Sequence, residues 1–166
     1  LKTNDLKVRQ SIAYSLKNIP ESFRPDYETL LTDKSYMTQE YALVNLWTQF
    51  PVHQYKYLKE SAEWQGFLDK NLRIEHLFLA YLTIKDQGSK FKIYRELLDY
   101  AQNNYETNVR QLAIQKLLAL DINTEAVFIP IRELLKNFNN KVIFIKIRGE
   151  LPVRERTQLQ KLLSEK

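Results

Sequence analysis

The sequence predicts an all-α protein: a solenoid (α-α superhelix) of about four helix pairs, capped by a C-terminal helix. Four segments of the same plan follow one another, with Val8, Thr38, Leu72 and Val109 at corresponding positions, at offsets of 30, 34 and 37 residues. Such intervals are typical of stacked two-helix units. Composition agrees, because three Gly and five Pro among 166 residues are few for a loop-rich or all-β fold.

The most apolar stretch, Leu72–Ile84, predicts a helix that other helices cover. Between Leu77 and Leu82 the hydroxyl of Tyr81 is the only polar side-chain group, and a helix that is apolar on nearly every side is normally buried. The apolar run is far shorter than the roughly 20 residues that span a bilayer. We therefore expect protein to cover it, and we predict no membrane segment.

Each repeated segment begins with polar residues and ends at a helix breaker. Asp, Asn, Ser and Thr side chains accept hydrogen bonds from the unpaired N–H groups of a first helical turn, and Pro cannot continue a helix. The polar starts are Asn4 and Asp5, Asp33 to Ser35, Asp69 to Asn71, and Thr107 and Asn108. The ends lie at Pro20 and Pro51, near Asp86 to Gly88, and around Asp121 to Asn123. We predict one helix within each pair of boundaries.

A second helix completes each pair. The predicted repeats of the single helical domain, 1–166, cover residues 4–31, 33–64, 69–101 and 107–138. Beyond them, alternating Ile143, Ile145 and Ile147 favour an extended segment. We expect 139–166 to form an irregular stretch followed by a capping helix.

Charge is unevenly distributed along the chain. The net charge is +5, yet residues 1–129 hold 16 basic and 16 acidic side chains, so 130–166 carries the excess with nine basic and four acidic residues. Such a segment can bind phosphates, acidic lipids or acidic protein surfaces. More commonly it is a solvated surface, which is our expectation here.

No catalytic arrangement is evident in the sequence. The chain has no Cys, which excludes a disulfide framework, a thiolate nucleophile and a cysteine metal site. A zinc-protease helix needs His-Glu-x-x-His, but Glu75 and His76 are in the wrong order and Ala80 stands where a second His would follow. We predict no catalytic, cofactor-binding or metal-binding residue, and we expect His76 to be a packed, hydrogen-bonded side chain. The composition leaves the cytosol and an exported compartment both open.

One polar residue type recurs at the same repeat position. Arg9, Arg73 and Arg110 occupy it in three segments, and Gln39 occupies it in the second. In a structural interpretation, each arginine holds an acidic group or a carbonyl of the adjacent unit. In a functional interpretation, the guanidinium groups line a concave surface and bind carboxylates or phosphates. We keep Arg9, Arg73 and Arg110 as candidate contacts to a ligand.

A resemblance to a known family rests on several runs of scaffold residues. They are Ile19–Phe23, Tyr27–Tyr36, Ala42–Trp47 with Phe50 and Pro51, Asp69–Arg73, Asn104–Glu106 and Gln158–Leu163. Over most of residues 4–138, the chain resembles the C-terminal HEAT-like helical region of bacterial M1-family zinc aminopeptidases of the aminopeptidase N type. The stretch 141–154 departs from that helical pattern.

The resemblance implies a solenoid that closes over the catalytic domain of a metallopeptidase and limits the access of peptide substrates. It also implies that the parent protein removes N-terminal amino acids from peptides and holds zinc in its catalytic domain. The family's zinc ligands, catalytic Glu and Gly-x-Met-Glu-Asn motif do not occur here, so no catalytic residue carries over. Because the chain starts at Leu1 without a Met, we expect a segment excised from a longer protein.

Two other functions remain open from the sequence. A freestanding HEAT-repeat scaffold for protein interactions would show the same repeat without a peptidase domain. A HEAT-like nucleic-acid binder would use the three arginines and the basic end of the chain, although the balanced charge of residues 1–129 weighs against it. The parent reading frame separates the first two possibilities, because only a peptidase carries His-Glu-x-x-His upstream.

Overall fold

Seven α-helices form the described part of the computed structural model, which covers residues 3–66, 70–102, 104–120 and Ile129. They are α1 (Leu6–Ser15), α2 (Arg24–Glu28), α3 (Tyr36–Gln49), α4 (Gln54–Glu60), α5 (Asn71–Thr83), α6 (Gln87–Tyr100) and α7 (Thr107–Ala119). Short 3-10 helices cover Glu21–Phe23, Thr29–Thr32 and Pro51–His53. No strand occurs in these residues, which confirms the predicted all-α class.

Side-chain caps fix the starts of three helices. Asp5 caps α1, Ser35 caps α3 and Asp86 caps α6, and each side chain accepts a hydrogen bond from an N–H group of the first turn. These bonds satisfy donors that a helix N-terminus otherwise leaves unpaired. At its other end α3 stops at Phe50, because Pro51 follows.

Several predicted boundaries are wrong. Helix α1 ends at Ser15, before the predicted end at Pro20. Two more concern polar residues. The polar residues around Gly88 do not close the central helix: α5 ends at Thr83, and Gly88 lies in the first turn of α6 because Asp86 caps a new helix. Thr107 and Asn108 do not precede the last repeated helix but begin α7 itself. In both places a polar residue is compatible with a cap and with a first turn, so the residue type alone does not fix the boundary.

The chain divides into two compact units, Leu1–Thr83 and Ile84–Lys166. The first contains α1 to α5, and the described part of the second contains α6 and α7. The long helices α1, α3, α5 and α7 correspond to the four repeated segments of the sequence. Of the described helices, none combines the length and the apolar character that crossing a bilayer requires.

Neighbouring long helices pack side by side in the first unit. Helix α1 packs on α3, and α3 packs on α5. Helices α1 and α3 run in the same direction, since Gln10 in the middle of α1 donates to Ser35 at the start of α3, and the rings of Tyr14 and Tyr41 meet further along both helices. Helix α2 packs against α3, and α4 packs against both α3 and α5. The two shorter helices thus connect one long helix to the next.

Buried polar groups tie the end of α1 to its neighbours. The carbonyl oxygen of Ala13 accepts hydrogen bonds from the Tyr27 hydroxyl at 2.9 Å and from Asn45 Nδ2 at 2.7 Å, and Asn45 also donates to the Tyr27 oxygen at 2.9 Å. Ala13 lies in the last turn of α1, where carbonyls lack partners within the helix. Tyr27 and Asn45 therefore complete that helix end inside the core, and burial raises the pKa of Tyr27.

Helix α5 confirms the prediction of a covered central helix. Its buried residues are Leu72, Ile74, Glu75, His76, Leu77, Leu79 and Ala80. They include four consecutive residues, Ile74 to Leu77, whose side chains point in different directions around the helix, as expected for cover on more than one side. The cover is incomplete near the end of the helix, where Leu82 is 48% exposed.

In the second unit, α6 packs on α7 through one face. The buried residues of α6 are Ile93, Leu97 and Tyr100. Phe91, on the same helix, is 58% exposed. Helix α7 contributes the buried Val109, Ala113, Ile114, Leu117 and Leu118.

Several predictions concern residues outside the described part of the chain. The irregular stretch and capping helix of 139–166 lie there, and so does the partner helix over 124–138 apart from Ile129.

Candidate functional site

Arg9, a predicted ligand contact, is held by protein groups at the start of α1. Its Nε donates to Asp33 Oδ2 at 2.5 Å, and its Nη1 donates to the carbonyl oxygen of Thr3 at 2.9 Å. Gln39, at the same repeat position of α3, donates to the carbonyl oxygen of Asp33 at 2.8 Å. The side chains at two equivalent repeat positions, Arg9 and Gln39, thus both bond to the turn that precedes α3, as the structural interpretation expects.

The Asp33 carboxylate is a buried anion with two partners. Its side chain is 5% exposed, and its Oδ1 accepts from the N–H group of Ser35 at 2.8 Å. Burial alone would raise the pKa of Asp33, but the hydrogen bonds from Arg9 and Ser35 outweigh burial and hold this pKa below its ordinary value. The carboxylate is therefore charged near neutral pH and neutralises Arg9.

An open depression of about 520 Å³ adjoins this ion pair. Its lining includes Asp26, Thr29 and Lys34 as well as Arg9 and Asp33. Because Arg9 and Asp33 neutralise one another, the depression presents hydroxyl groups and charges of both signs, without a cluster of one sign. Nothing in its lining resembles an acid–base pair or an activated nucleophile.

Replacing Arg9 by Met should lower the free energy of unfolding by about 1–3 kcal/mol, since it leaves the buried Asp33 carboxylate with one partner fewer. Urea unfolding at neutral pH measures this loss. Lys7→Met, on an exposed residue of the same helix, is the matched control and should change stability by less than about 0.5 kcal/mol. Equal effects of the two changes would contradict a structural role for Arg9.

The other two candidate arginines also contact the protein or are buried. Arg73 Nη1 donates to the carbonyl oxygen of Ala62, beyond the end of α4, at 2.7 Å. Arg110, in the second unit, is 4% exposed. Arg9 and Arg73 thus behave as the structural interpretation expects, and contact of the three arginines with a ligand stays a prediction.

A cluster around Glu28 was missed by the sequence analysis. Glu28 Oε1 accepts from Arg24 Nη1 at 2.6 Å and from the Tyr57 hydroxyl at 2.9 Å, and its Oε2 accepts from Lys56 Nζ at 2.6 Å. Arg24 also lies over the ring of Phe50, with its guanidinium carbon 5.8 Å from the ring centre. The spacing of Arg24 and Glu28 on one helix could have indicated that pair. Lys56 and Tyr57 on α4 reach Glu28 through tertiary packing, which the spacing of residues in the sequence does not predict.

The cluster shifts the protonation of its members. Burial tends to raise the pKa of Glu28, but hydrogen bonds from Lys56, Tyr57 and Arg24 outweigh it and lower this pKa below its usual 4.5. Burial and the adjacent Glu28 carboxylate raise the pKa of Tyr57 above its usual 10.0. Tyr57 is therefore a neutral hydrogen-bond donor at physiological pH, and Glu28 is its charged acceptor.

The protein should lose stability in acid because of these two carboxylates. The pKa values of Glu28 and Asp33 are lower in the folded chain than their ordinary values of 4.5 and 3.8, so their contribution is complete above about pH 5 and disappears as pH falls through the folded values. Urea unfolding between about pH 7 and pH 3 measures the effect. In the double variant Glu28→Gln/Asp33→Asn, the decline below about pH 4.5 should be shallower. An unchanged decline would show that other groups cause it.

His76 is the packed, hydrogen-bonded histidine that the sequence predicted. It is 7% exposed, and its Nδ1 lies 2.8 Å from Ser61 Oγ. Ser61 Oγ donates to the carbonyl oxygen of Tyr57 at 2.9 Å, which leaves it as the acceptor of the His76 N–H. Ser61 is fully buried, so this pair links the end of α4 to α5 and is not an exposed nucleophile with its base.

Across the described ranges, no group of three or more His, Cys, Asp or Glu side chains is placed to hold a metal ion. Comparisons with family models, with curated proteins and with solved structures found no match for this chain. In the part of the chain that the structure describes, the protein is all-helical, Arg9 and Arg73 bond to protein groups, and Arg110 is buried.

Proposed function

We propose that this chain is a non-catalytic C-terminal domain of an M1-family zinc aminopeptidase, with its helices arranged as a HEAT-like superhelix over the peptidase's catalytic domain. The parent protein would remove N-terminal amino acids from peptides. In this proposal the helical domain forms part of the wall of the substrate chamber and limits which peptides enter. The zinc ion and the catalytic groups belong to the other domain.

The proposal rests mainly on the positions, in the structure, of the residues that resemble those of the peptidase family. Tyr27 and Asn45 hold the end of α1, Asp33 joins α1 to the start of α3, and Phe50 with Pro51 ends α3. All of them support the packing of helices, and the resemblance concerns a helical scaffold. Agreement between the family's scaffold residues and the scaffold contacts of this chain supports the proposed kinship.

Zinc does not fit the described residues of this chain. The described histidines are His53 and His76, and His76 is buried against Ser61. No group of side chains in the described ranges has the composition that a zinc site needs. We therefore derive no catalytic step from this chain and assign the metal to the parent's catalytic domain.

Expression of the whole natural reading frame beside the isolated chain tests the proposal. The whole product should contain zinc and release amino acids from aminoacyl-anilide and peptide substrates, with inhibition by bestatin. The isolated chain should do neither. Bestatin-sensitive turnover by the isolated chain would overturn the non-catalytic assignment, and a whole product without aminopeptidase activity would overturn the kinship.

A freestanding HEAT-type interaction scaffold is the second candidate. It is favoured by large apolar side chains exposed in the first unit, including Met37 at 52%, Val52 at 92% and Tyr55 at 64%. Exposed apolar groups are common at contacts with other proteins. A reading frame without a peptidase domain, together with a stable binding partner, would favour this function.

Nucleic-acid binding is less well supported. Arg9 and Arg73 donate hydrogen bonds to protein groups and Arg110 is buried, so these side chains form no exposed row of cations. Binding to duplex DNA that weakens steeply with salt would support this function. Absence of binding at low salt would dismiss it.

A further inference from the structure

The first two helix pairs of the chain, α1 with α2 and α3 with α4, keep one constant spacing. Helix α3 begins 30 residues after α1, and α4 begins 30 residues after α2. The 3-10 helices that start at Glu21 and Pro51 keep the same interval, and so do the helix caps Asp5 and Ser35. Each residue of α1 therefore has a defined counterpart in α3.

One side of α3 is buried where α1 packs on it. Asn45 lies on this side and donates to the carbonyl oxygen of Ala13 in α1. Ala42 and Thr38 lie one and two turns before Asn45, on the same side of the helix. Thr38 and Ala42 are 0% exposed, and Asn45 is 7% exposed. The helix of the preceding pair thus covers this side.

Helix α5 buries the corresponding positions. At the interval of 34 residues that relates Thr38 to Leu72, the counterparts of Ala42 and Asn45 are His76 and Leu79. Leu72, His76 and Leu79 are all buried, in a helix that packs on α3 and α4 of the preceding pair. In two successive units, therefore, this set of positions is covered by the unit before it.

The counterpart side of α1 is open. The residues 30 positions before the buried set of α3 are Val8, Ile12 and Ser15, and we call these three the α1 outer face. Val8 is 43% exposed, Ile12 is partly exposed and Ser15 is exposed. Helix α1 contacts α3 through Gln10 and Tyr14, on its other side. A unit that ends a stack of repeats normally has a polar outer side, whereas Val8 and Ile12 are apolar.

We propose that the α1 outer face is the docking surface for one more helix, which belongs to a preceding two-helix unit of the same protein. This helix lies alongside α1 in the way that α1 lies alongside α3. Its apolar side chains pack on Val8 and Ile12. The hydroxyl of Ser15 donates to a carbonyl oxygen in its last turn, as Asn45 donates to Ala13. The inference applies to a peptidase domain and to a freestanding scaffold alike.

Continuity with the contact between α1 and α3 decides between possible occupants. A parallel helix at the same position repeats an interface that the chain already forms. A second copy of the chain, or a separate protein, would gain only the small apolar area of Val8 and Ile12, far less than a stable interface buries. A unit connected through the backbone needs less area, because it loses little translational freedom when it docks.

Thiol labelling tests the proposal, since the chain has no Cys and Val8→Cys introduces a single thiol. The variant is made in the isolated chain and in the product of the whole natural reading frame. Both are treated with a maleimide, and mass spectrometry of the peptide that contains residue 8 gives the rate. We expect labelling to be at least about tenfold slower in the whole product, because a thiol between packed helices reacts only when they separate locally.

Two further variants separate a covering helix from a general change in reactivity. Lys7→Cys is the matched control: its counterpart in α3, Met37, stays 52% exposed beside α1, so residue 7 should be labelled equally fast in both proteins. Val8→Lys places a charge on the α1 outer face. It should accelerate hydrogen exchange of the α1 amides in the whole product and leave it unchanged in the isolated chain, where residue 8 already contacts water.

Three results would overturn the proposal. The first is equal labelling of Val8→Cys in the two proteins. The second is slow labelling in the isolated chain, which would assign the cover to the chain's own residues, or to a second copy if it appears only at high concentration. The third is a reading frame that supplies no helix pair before this chain. Zinc content and peptidase activity do not enter these measurements, so a failure of the proposed function is distinguishable from a failure of this inference.

Discussion

Ile74→Ala should lower the free energy of unfolding by about 2–5 kcal/mol, the largest loss that we expect from a single side chain. Ile74 is fully buried in α5, the helix that α3 and α4 both contact. Removing three of its carbon atoms leaves a cavity among side chains that cannot all move to fill it. Urea unfolding followed by circular dichroism measures the loss, and hydrogen exchange of the α5 amides localises it.

Leu82→Ala is the control on the same helix. Leu82 also loses three carbon atoms, but it is 48% exposed, so the expected loss is below about 1 kcal/mol. Similar losses for Ile74 and Leu82 would contradict the assignment of α5 as the covered helix of the first unit.

Asn45→Ala should cost about 1–3 kcal/mol by removing two hydrogen bonds inside the core. Asn45 Nδ2 donates to the carbonyl oxygen of Ala13 and to the hydroxyl oxygen of Tyr27. Thermal and urea unfolding measure the loss. Thr48→Ala, at an exposed position of the same helix where the hydroxyl bonds to the carbonyl of Val44, is the control and should cost less than about 0.5 kcal/mol.

A double-mutant cycle gives a sharper result. Tyr27→Phe alone leaves the carbonyl oxygen of Ala13 with its Asn45 partner, and Asn45→Ala alone leaves it with its Tyr27 partner. The double variant removes both of these side-chain donors from a buried carbonyl. Each single change also removes the hydrogen bond between Asn45 and Tyr27, so the sum of the single losses counts that bond twice. The loss in the double variant should therefore differ from the sum of the single losses by at least about 0.5 kcal/mol, as expected for residues in one hydrogen-bond network. Simple additivity would contradict a coupled Tyr27–Asn45 pair.

The helices were predictable because local chemistry sets them. Asp5 and Ser35 accept first-turn hydrogen bonds, and Pro51 ends α3 where the sequence indicated. Burial of α5 followed from its apolar composition. The boundary near Gly88 was wrong because a polar residue that ends one helix and one that caps the next look alike in sequence.

Contacts between distant residues were not predictable from spacing. Lys56 and Tyr57 meet Glu28 only because α4 packs near α2, and no local pattern identifies an acceptor 28 or 29 residues away. Similarly, Phe91, Tyr94 and Leu98 are spaced along one side of α6, whereas the helix buries the side with Ile93 and Leu97. When a helix has apolar residues on two sides, the side that is buried depends on where the neighbouring helices pack.

For the candidate arginines, the repeat position predicted which residues are structurally equivalent, but it did not predict what their side chains bind. Arg9 and Gln39 occupy equivalent places and both bond to Asp33, as a repeated structure would produce. The sequence alone did not distinguish a guanidinium group that bonds to other groups of the protein from one that is available to bind a ligand. The distinction depends on which groups accept the hydrogen bonds. For Arg9 the acceptor is Asp33 in the turn before α3, and for Arg73 it is the carbonyl oxygen of Ala62.

The coding sequence upstream of Leu1 tests the central claim most directly. Under our account, the same reading frame encodes His-Glu-x-x-His and Gly-x-Met-Glu-Asn before this chain begins. A frame that encodes neither motif would mean that this helical chain does not belong to a zinc aminopeptidase.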